Sequence, residues 1–166
     1  MTKDAKLEQQ KVIIIGDSHA KGCAAKITHI LDRTFEVTGY VKPGTGLEEI
    51  TNIARKETDG FTKKDMAVVW GGANNVAKNE PEKGLVDISN FVKQRKHTNI
   101  IKVSAPKRYD LSTTSCVNSE VTTYNTNFIV FTRAIFLIIH IPTNCTKFSA
   151  ISWNINKYIT QNYTRG

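Results

Sequence analysis

The chain has 166 residues, of which 40% are hydrophobic and 23% charged, and its 23 Lys and Arg against 15 Asp and Glu give a formal net charge of +8. That is enough chain for one globular domain with a full core and too little for two ordinary ones. Its three cysteines, Cys23, Cys116 and Cys145, are odd in number, widely spaced and without a Cys-x-x-Cys pair, which argues against a disulfide framework or a zinc site and fits a reducing compartment.

Residues 1–10 form a polar lead-in without an apolar signal core, so an intracellular, cytoplasmic location is expected, with one domain over residues 11–166. Val12, Ile13, Ile14 and Ile15 make a β-branched strand that runs into Gly16, Asp17 and Ser18. Apolar residues then recur at Ala20, Cys23, Ala24, Ile27, Ile30 and Leu31, the spacing of a helix with one buried face. Ser18 is thereby expected at a strand-to-helix corner, where free backbone N–H groups and the helix dipole favour negative charge. The plain structural alternative is that Asp17 or Ser18 caps the helix.

Residues 35–41 alternate apolar and polar and read as a second strand, closed by Pro43 and followed by the turn Gly44-Thr45-Gly46. Leu47, Ile50, Ile53 and Ala54 then mark a short helix. Residues 66–70, Met-Ala-Val-Val-Trp, are an unbroken apolar run of the kind buried on both faces, and it exits through Gly71-Gly72-Ala73-Asn74-Asn75. Pro81 suits a first helical turn, and Leu85, Ile88, Phe91 and Val92 continue it. A fourth strand is expected over 99–104, a polar loop over 107–115, and a helix carrying Val117, Val121, Tyr124 and Phe128. A fifth strand over 135–141 and a last amphipathic segment from about 154 to 163 complete the series. The longest apolar run, residues 134–141, is of strand length and broken by His140, so no membrane span is expected.

Strands alternating with helices in this way imply an α/β fold, a three-layer flavodoxin-like sandwich around a five-stranded parallel sheet of order 2-1-3-4-5. Ligands of such sheets bind outside the carboxyl ends of the strands. That rule brings together Ser18, the Gly44 to Gly46 turn and Asn74: a nucleophile, glycine-freed N–H donors and a side-chain amide, the parts a tetrahedral oxyanion requires. No strand is followed by a dinucleotide-binding or Walker glycine pattern, and no cofactor or metal is expected. The basic residues are dispersed, densest at residues 93–96 and at Lys107 and Arg108, without interleaved aromatics; they read mostly as solvated faces, with nucleic acid as the alternative partner.

In these blocks the chain resembles the SGNH, or GDSL-like, hydrolase superfamily. Gly16-Asp17-Ser18 is similar to its first block, Gly44-Thr45-Gly46 to its second and Gly72-Ala73-Asn74-Asn75 to its third, in the same order. The wording is most similar to esterase-like domains of insect and retrotransposon-type sequences. The resemblance implies Ser18 as acyl-accepting nucleophile, and the Ser18 N–H, the Gly46 N–H and the Asn74 side chain as oxyanion hole, with Gly44 in place of Gly46 if the turn is registered two residues earlier. Position 75, usually Asp in the family, is Asn75.

The family's general base is a late Asp-x-x-His block. Here the corresponding stretch reads Ala150-Ile151-Ser152-Trp153-Asn154, with Ser152 at the histidine's place and no Asp from Pro142 to the end. Losing a triad base costs on the order of 10⁴ to 10⁶ in turnover. Among substitutes, His140 lies near the end of the fifth strand but in an apolar run that favours a core role, His19 is expected to point along the helix, and His29 and His97 fall at remote element ends. The expectation is a serine ester hydrolase acting on small acyl or acetyl esters through an acyl-enzyme, weak or inactive for want of its base. The alternative is a non-catalytic binding domain of the same fold, associated with nucleic acid.

Overall fold

The computed structural model describes residues 9–108, 110–131, 137–139 and 157. Its centre is the apolar run read above. Strand β1 (Gln10–Gly16) lies between β2 (Phe35–Val41) and β3 (Met66–Trp70), and β4 (Asn99–Val103) pairs with β3, all parallel, in the order β2-β1-β3-β4. A three-residue segment, β5 (Leu137–Ile139), runs parallel along the outer side of β4 at Ile101–Val103. The register places Gly16 opposite both Val41 and Trp70, and Trp70 opposite Val103, so the strands all end at one level. That common level is where the loops bearing Ser18, Gly46 and Asn74 emerge.

Alternation along the strands sends side chains to two cores. Ile13, Ile15, Ala67, Val69 and Ile100 pack with α2 (Leu47–Glu57), α4 (Pro81–Gln94) and α5 (Cys116–Phe131), while Val12, Ile14, Met66, Val68, Trp70, Ile101 and Val103 face α1 (Cys23–Ile30). Helix faces follow their spacing: Leu47, Ile50 and Ala54 of α2 and Ile88 and Phe91 of α4 are wholly buried. The Leu, Ile and Phe side chains among these contribute about 1.5–3 kcal/mol each of transfer free energy.

Three local features depart from the reading of the sequence. The first helix does not start at the corner: a 3₁₀ turn, Ser18–Ala20, comes first, Gly22 at φ +76° breaks the backbone direction, and α1 begins only at Cys23. The cause is local, because Asp17 caps the short turn through the His19 N–H and Gly22 supplies the left-handed step that a side chain disfavours. Asp17 is therefore the cap, and Ser18 heads a single tight turn rather than a long helix. Ile30, assigned to the buried face, is 48% exposed. The polar exit from β3 contains a short helix of its own, α3 (Ala73–Ala77), introduced by Gly72 at φ +115°. The lead-in through residue 8, the flanks of the expected fifth strand including His140, and the late block with Ser152 lie outside the described residues, as does the expected last amphipathic segment apart from Lys157. No helix among the described residues is long and apolar enough to cross a membrane.

Candidate active site

Asp17 is the hub of the crevice above the strand ends. It follows the last residue of β1, its N–H donates to the Trp70 carbonyl at 3.2 Å, and its side chain is completely buried. A buried carboxylate needs donors on its oxygens, and this one has them. Oδ1 accepts the His19 backbone N–H at 2.9 Å and lies 2.8 Å from His19 Nδ1; Oδ2 accepts from Asn74 Nδ2 at 3.2 Å.

Asn74 does more than reach Asp17. Its Nδ2 also donates to the Thr45 carbonyl at 3.0 Å, so one amide group ties the turn after β1 to the turn after β2. Sequence reasoning brought Ser18, Gly46 and Asn74 to one crevice, and Asn74 is bonded to the immediate neighbours of the other two. The amide's two hydrogens are both engaged, so Asn74 can donate to an oxyanion only by releasing Asp17 or Thr45.

Asn75, next along α3, secures the second turn. Its Oδ1 accepts the Leu47 N–H at 2.9 Å, an N-terminal donor of α2 with no partner inside the helix. A Cβ on Gly46 would stand 3.1 Å from that same Oδ1, so any side chain at 46 would press on the Asn75 amide that holds Leu47. An Asp at 75 would offer the same acceptor. Gly44, at φ +73°, bends the turn and has open space around it. Ser18 is exposed at the head of its turn, and its carbonyl accepts the Lys21 N–H at 3.2 Å.

His19 was expected to point along a helix. Because the chain closes a 3₁₀ turn there instead, the imidazole folds back onto Asp17 and lies beside Trp70, with ring centroids 6.5 Å apart. It is 39% exposed and lines a cleft of about 410 Å³ with Asn74. The rest of that cleft is apolar at Ala73, Ala77, Pro106, Val117 and Val121, and charged at Lys107, Arg108 and Asp110. The loop bearing these charges is pinned by Asn118, which accepts the Arg108 N–H and donates to the Arg108 and Ser112 carbonyls.

Beneath the crevice lies a residue the sequence reading passed over. Lys102 is the penultimate residue of β4, 1% exposed, on the sheet face shared with Ile100. Its ammonium donates to the Gly71 carbonyl at 2.8 Å and to the Val103 carbonyl, and lies 5.6 Å from the Phe128 ring centroid. Burial pushes its pKa down to about 7, with the field of the Asp17 carboxylate acting in the opposite sense. A lysine inside the apolar run Ile100-Ile101-Lys102-Val103 was the available signal. Among the described residues no group of His, Cys, Asp and Glu is placed to hold a metal ion.

No protein-family model matches the chain, and no curated protein matches it. Solved structures do. A member of the lipolytic protein G-D-S-L family from Veillonella parvula superposes with a TM-score of 0.62 at 10% identity, covering 95% of this chain and 100% of that one. The lipase/acylhydrolase from Enterococcus faecalis gives a TM-score of 0.60 at 12% identity, with 92% and 96% covered. An acetylxylan esterase from Geobacillus stearothermophilus gives 0.61 at 15%, with 91% and 82% covered. The chain thus has the α/β fold, with its parallel sheet, of GDSL lipolytic hydrolases and esterases.

Proposed function

We propose that the chain is a serine ester hydrolase of the SGNH type, acting on small acyl or acetyl esters through an acyl-enzyme at Ser18. The observation that carries this reading is the Asn74 amide bridging Asp17 and Thr45, which draws the Ser18 turn, the Gly46 turn and α3 into one crevice. In this reading the Ser18 oxygen attacks the ester carbonyl, while the Ser18 and Gly46 N–H groups and one released hydrogen of Asn74 stabilise the oxyanion. The apolar wall of Ala73, Ala77, Val117 and Val121 suits a short acyl chain. The short segment beside β4 is taken as the fifth strand of the sheet, leading to the late block. Ser152 at the place of the family's histidine makes the activity weak, and the Ser152→His variant raises it.

The test is hydrolysis of p-nitrophenyl acetate and butyrate by the wild type and by Ser18→Ala, the latter measuring background cleavage by surface lysines. A clear excess of wild type over Ser18→Ala supports the reading; equality removes it. The engaged hydrogens of Asn74 favour a second reading, a non-catalytic binding domain whose basic surplus meets nucleic acid. Salt-dependent binding of a single-stranded or duplex probe by an inactive protein would support that one.

A further inference from the structure

The late histidine is not the only way to place a base in this crevice. His19 Nδ1 lies 2.8 Å from a carboxylate oxygen of Asp17, and that carboxylate is wholly buried while the imidazole reaches the cleft. A buried carboxylate on Nδ1 holds the proton on that nitrogen and leaves Nε2 as the basic one, the relation an acid orienter has to the histidine of a hydrolytic triad. Here the two are two residues apart, fixed by a single 3₁₀ turn that the Asp17 side chain itself caps.

The surroundings of the imidazole agree with that role. Its ring shares the cleft with Asn74, and the nearer wall is apolar, from Ala73, Ala77, Val117 and Val121. Asp17 is the anion on the same turn, with Lys102 buried behind it on β4 and exerting an electrostatic pull on it. Lys107, Arg108 and Asp110 face the imidazole across the cleft, Arg108 being paired with Asp110.

We propose that His19, oriented by Asp17, is the catalytic base of this crevice and stands in for the histidine missing from the late block. The proposal rests on the ester-hydrolase reading above and supplies its missing part. Consecutive side chains of a 3₁₀ turn splay by roughly 120°, so the proposal includes one water that carries the Ser18 proton to His19 Nε2. The Ser18 oxygen bonds to the carbonyl carbon, its proton passes to Nε2, and the imidazolium then protonates the departing alkoxide as its C–O bond breaks. In the second half a water attacks the acyl carbon, gives its proton to Nε2, and the proton returns to the Ser18 oxygen as the acid leaves.

The experiment compares p-nitrophenyl acetate hydrolysis by wild type, Ser18→Ala, His19→Gln and His19→Ala from about pH 5 to 8, with thermal unfolding of each and added imidazole for His19→Ala. The expected result is a loss of about 100-fold or more in kcat for both His19 variants, a flattened pH profile, and partial recovery of His19→Ala by imidazole. Recovery by imidazole beyond its own cleavage of the ester, measured with the Ser18→Ala, His19→Ala double variant, distinguishes a lost base from a loosened fold. If wild type exceeds Ser18→Ala while His19→Ala keeps both rate and profile, the base lies elsewhere and only the present proposal falls. If His19→Ala loses activity and imidazole restores none, the role is structural and the proposal falls. If wild type equals Ser18→Ala, both readings fall together.

Discussion

Lys102 Nζ donates to the Gly71 carbonyl across 2.8 Å, so a buried side chain near the carboxyl end of β4 holds the first residue after β3. Its pKa, pushed down to about 7 by burial, lies below the value of about 10.4 it has when the chain unfolds. Between those values the unfolded chain binds more protons than the folded one, so stability rises with pH across that window. Below about pH 7 both states are protonated and the cost of burying the charge is fully present. Denaturant unfolding of wild type at pH 6, 7.5 and 9 is expected to show this rise, and Lys102→Met to lack it, a difference of about 1 kcal/mol per pH unit. Parallel curves for the two proteins would contradict a buried, titrating lysine.

Asp17 and Lys102 are coupled electrostatically as well as through the crevice. Asp17→Ala removes the partner of the His19 N–H, His19 Nδ1 and Asn74 Nδ2, and is expected to cost about 2–4 kcal/mol. It also leaves the Lys102 ammonium without the anion that offsets its burial. In the double variant with Lys102→Met the two costs should fall short of their sum by about 0.5 kcal/mol or more. Strict additivity in urea denaturation would mean that the two groups do not feel each other.

Gly72 and Tyr124 are in forced contact. A Cβ on Gly72 would stand 2.7 Å from the Tyr124 ring, and φ is already +115°. Gly72→Ala should therefore cost well over about 1 kcal/mol, from strain and overlap together. The Tyr124 hydroxyl is buried with no hydrogen-bond partner among the described residues. Tyr124→Phe should leave stability unchanged or raise it by about 1 kcal/mol; a loss of comparable size would mean that the hydroxyl is satisfied after all.

Asn75 holds α2 through the Leu47 N–H. Removing that acceptor in Asn75→Ala should lower stability by about 1–2 kcal/mol and loosen the Gly46 turn, reducing any esterase activity in parallel. Asn75→Asp restores the acceptor at a helix N-terminus that favours negative charge, and should lose less than half as much. The melting temperatures of the two variants, measured side by side, decide it.

Much of this was legible in the residues. The apolar runs at 12–15, 66–70 and 100–103 became the central strands, and the crevice fell where parallel strands of this kind end. What failed to show was set by side chains acting on backbone. The spacing from Ala20 to Leu31 is helical throughout, but Asp17 closing a 3₁₀ turn and Gly22 at positive φ override it, and with it the expected direction of His19. Helix α3 has too few apolar residues to make a periodic signal. Lys102 was visible as a charge in an apolar strand, yet its meaning depends on carbonyls contributed by Gly71 and Val103, one of them distant in sequence.

Helix α3 spans only Ala73–Ala77, far shorter than a helix that persists on its own in water. Its residues Asn74 and Asn75 nevertheless hold Asp17, Thr45 and Leu47 at once. A fluctuation that unwinds these five residues releases the turn after β1 and the turn after β2 in one event. In deuterated solvent the amide hydrogen of Leu47, held by Asn75 alone among the described residues, should then exchange at the rate at which these five residues open.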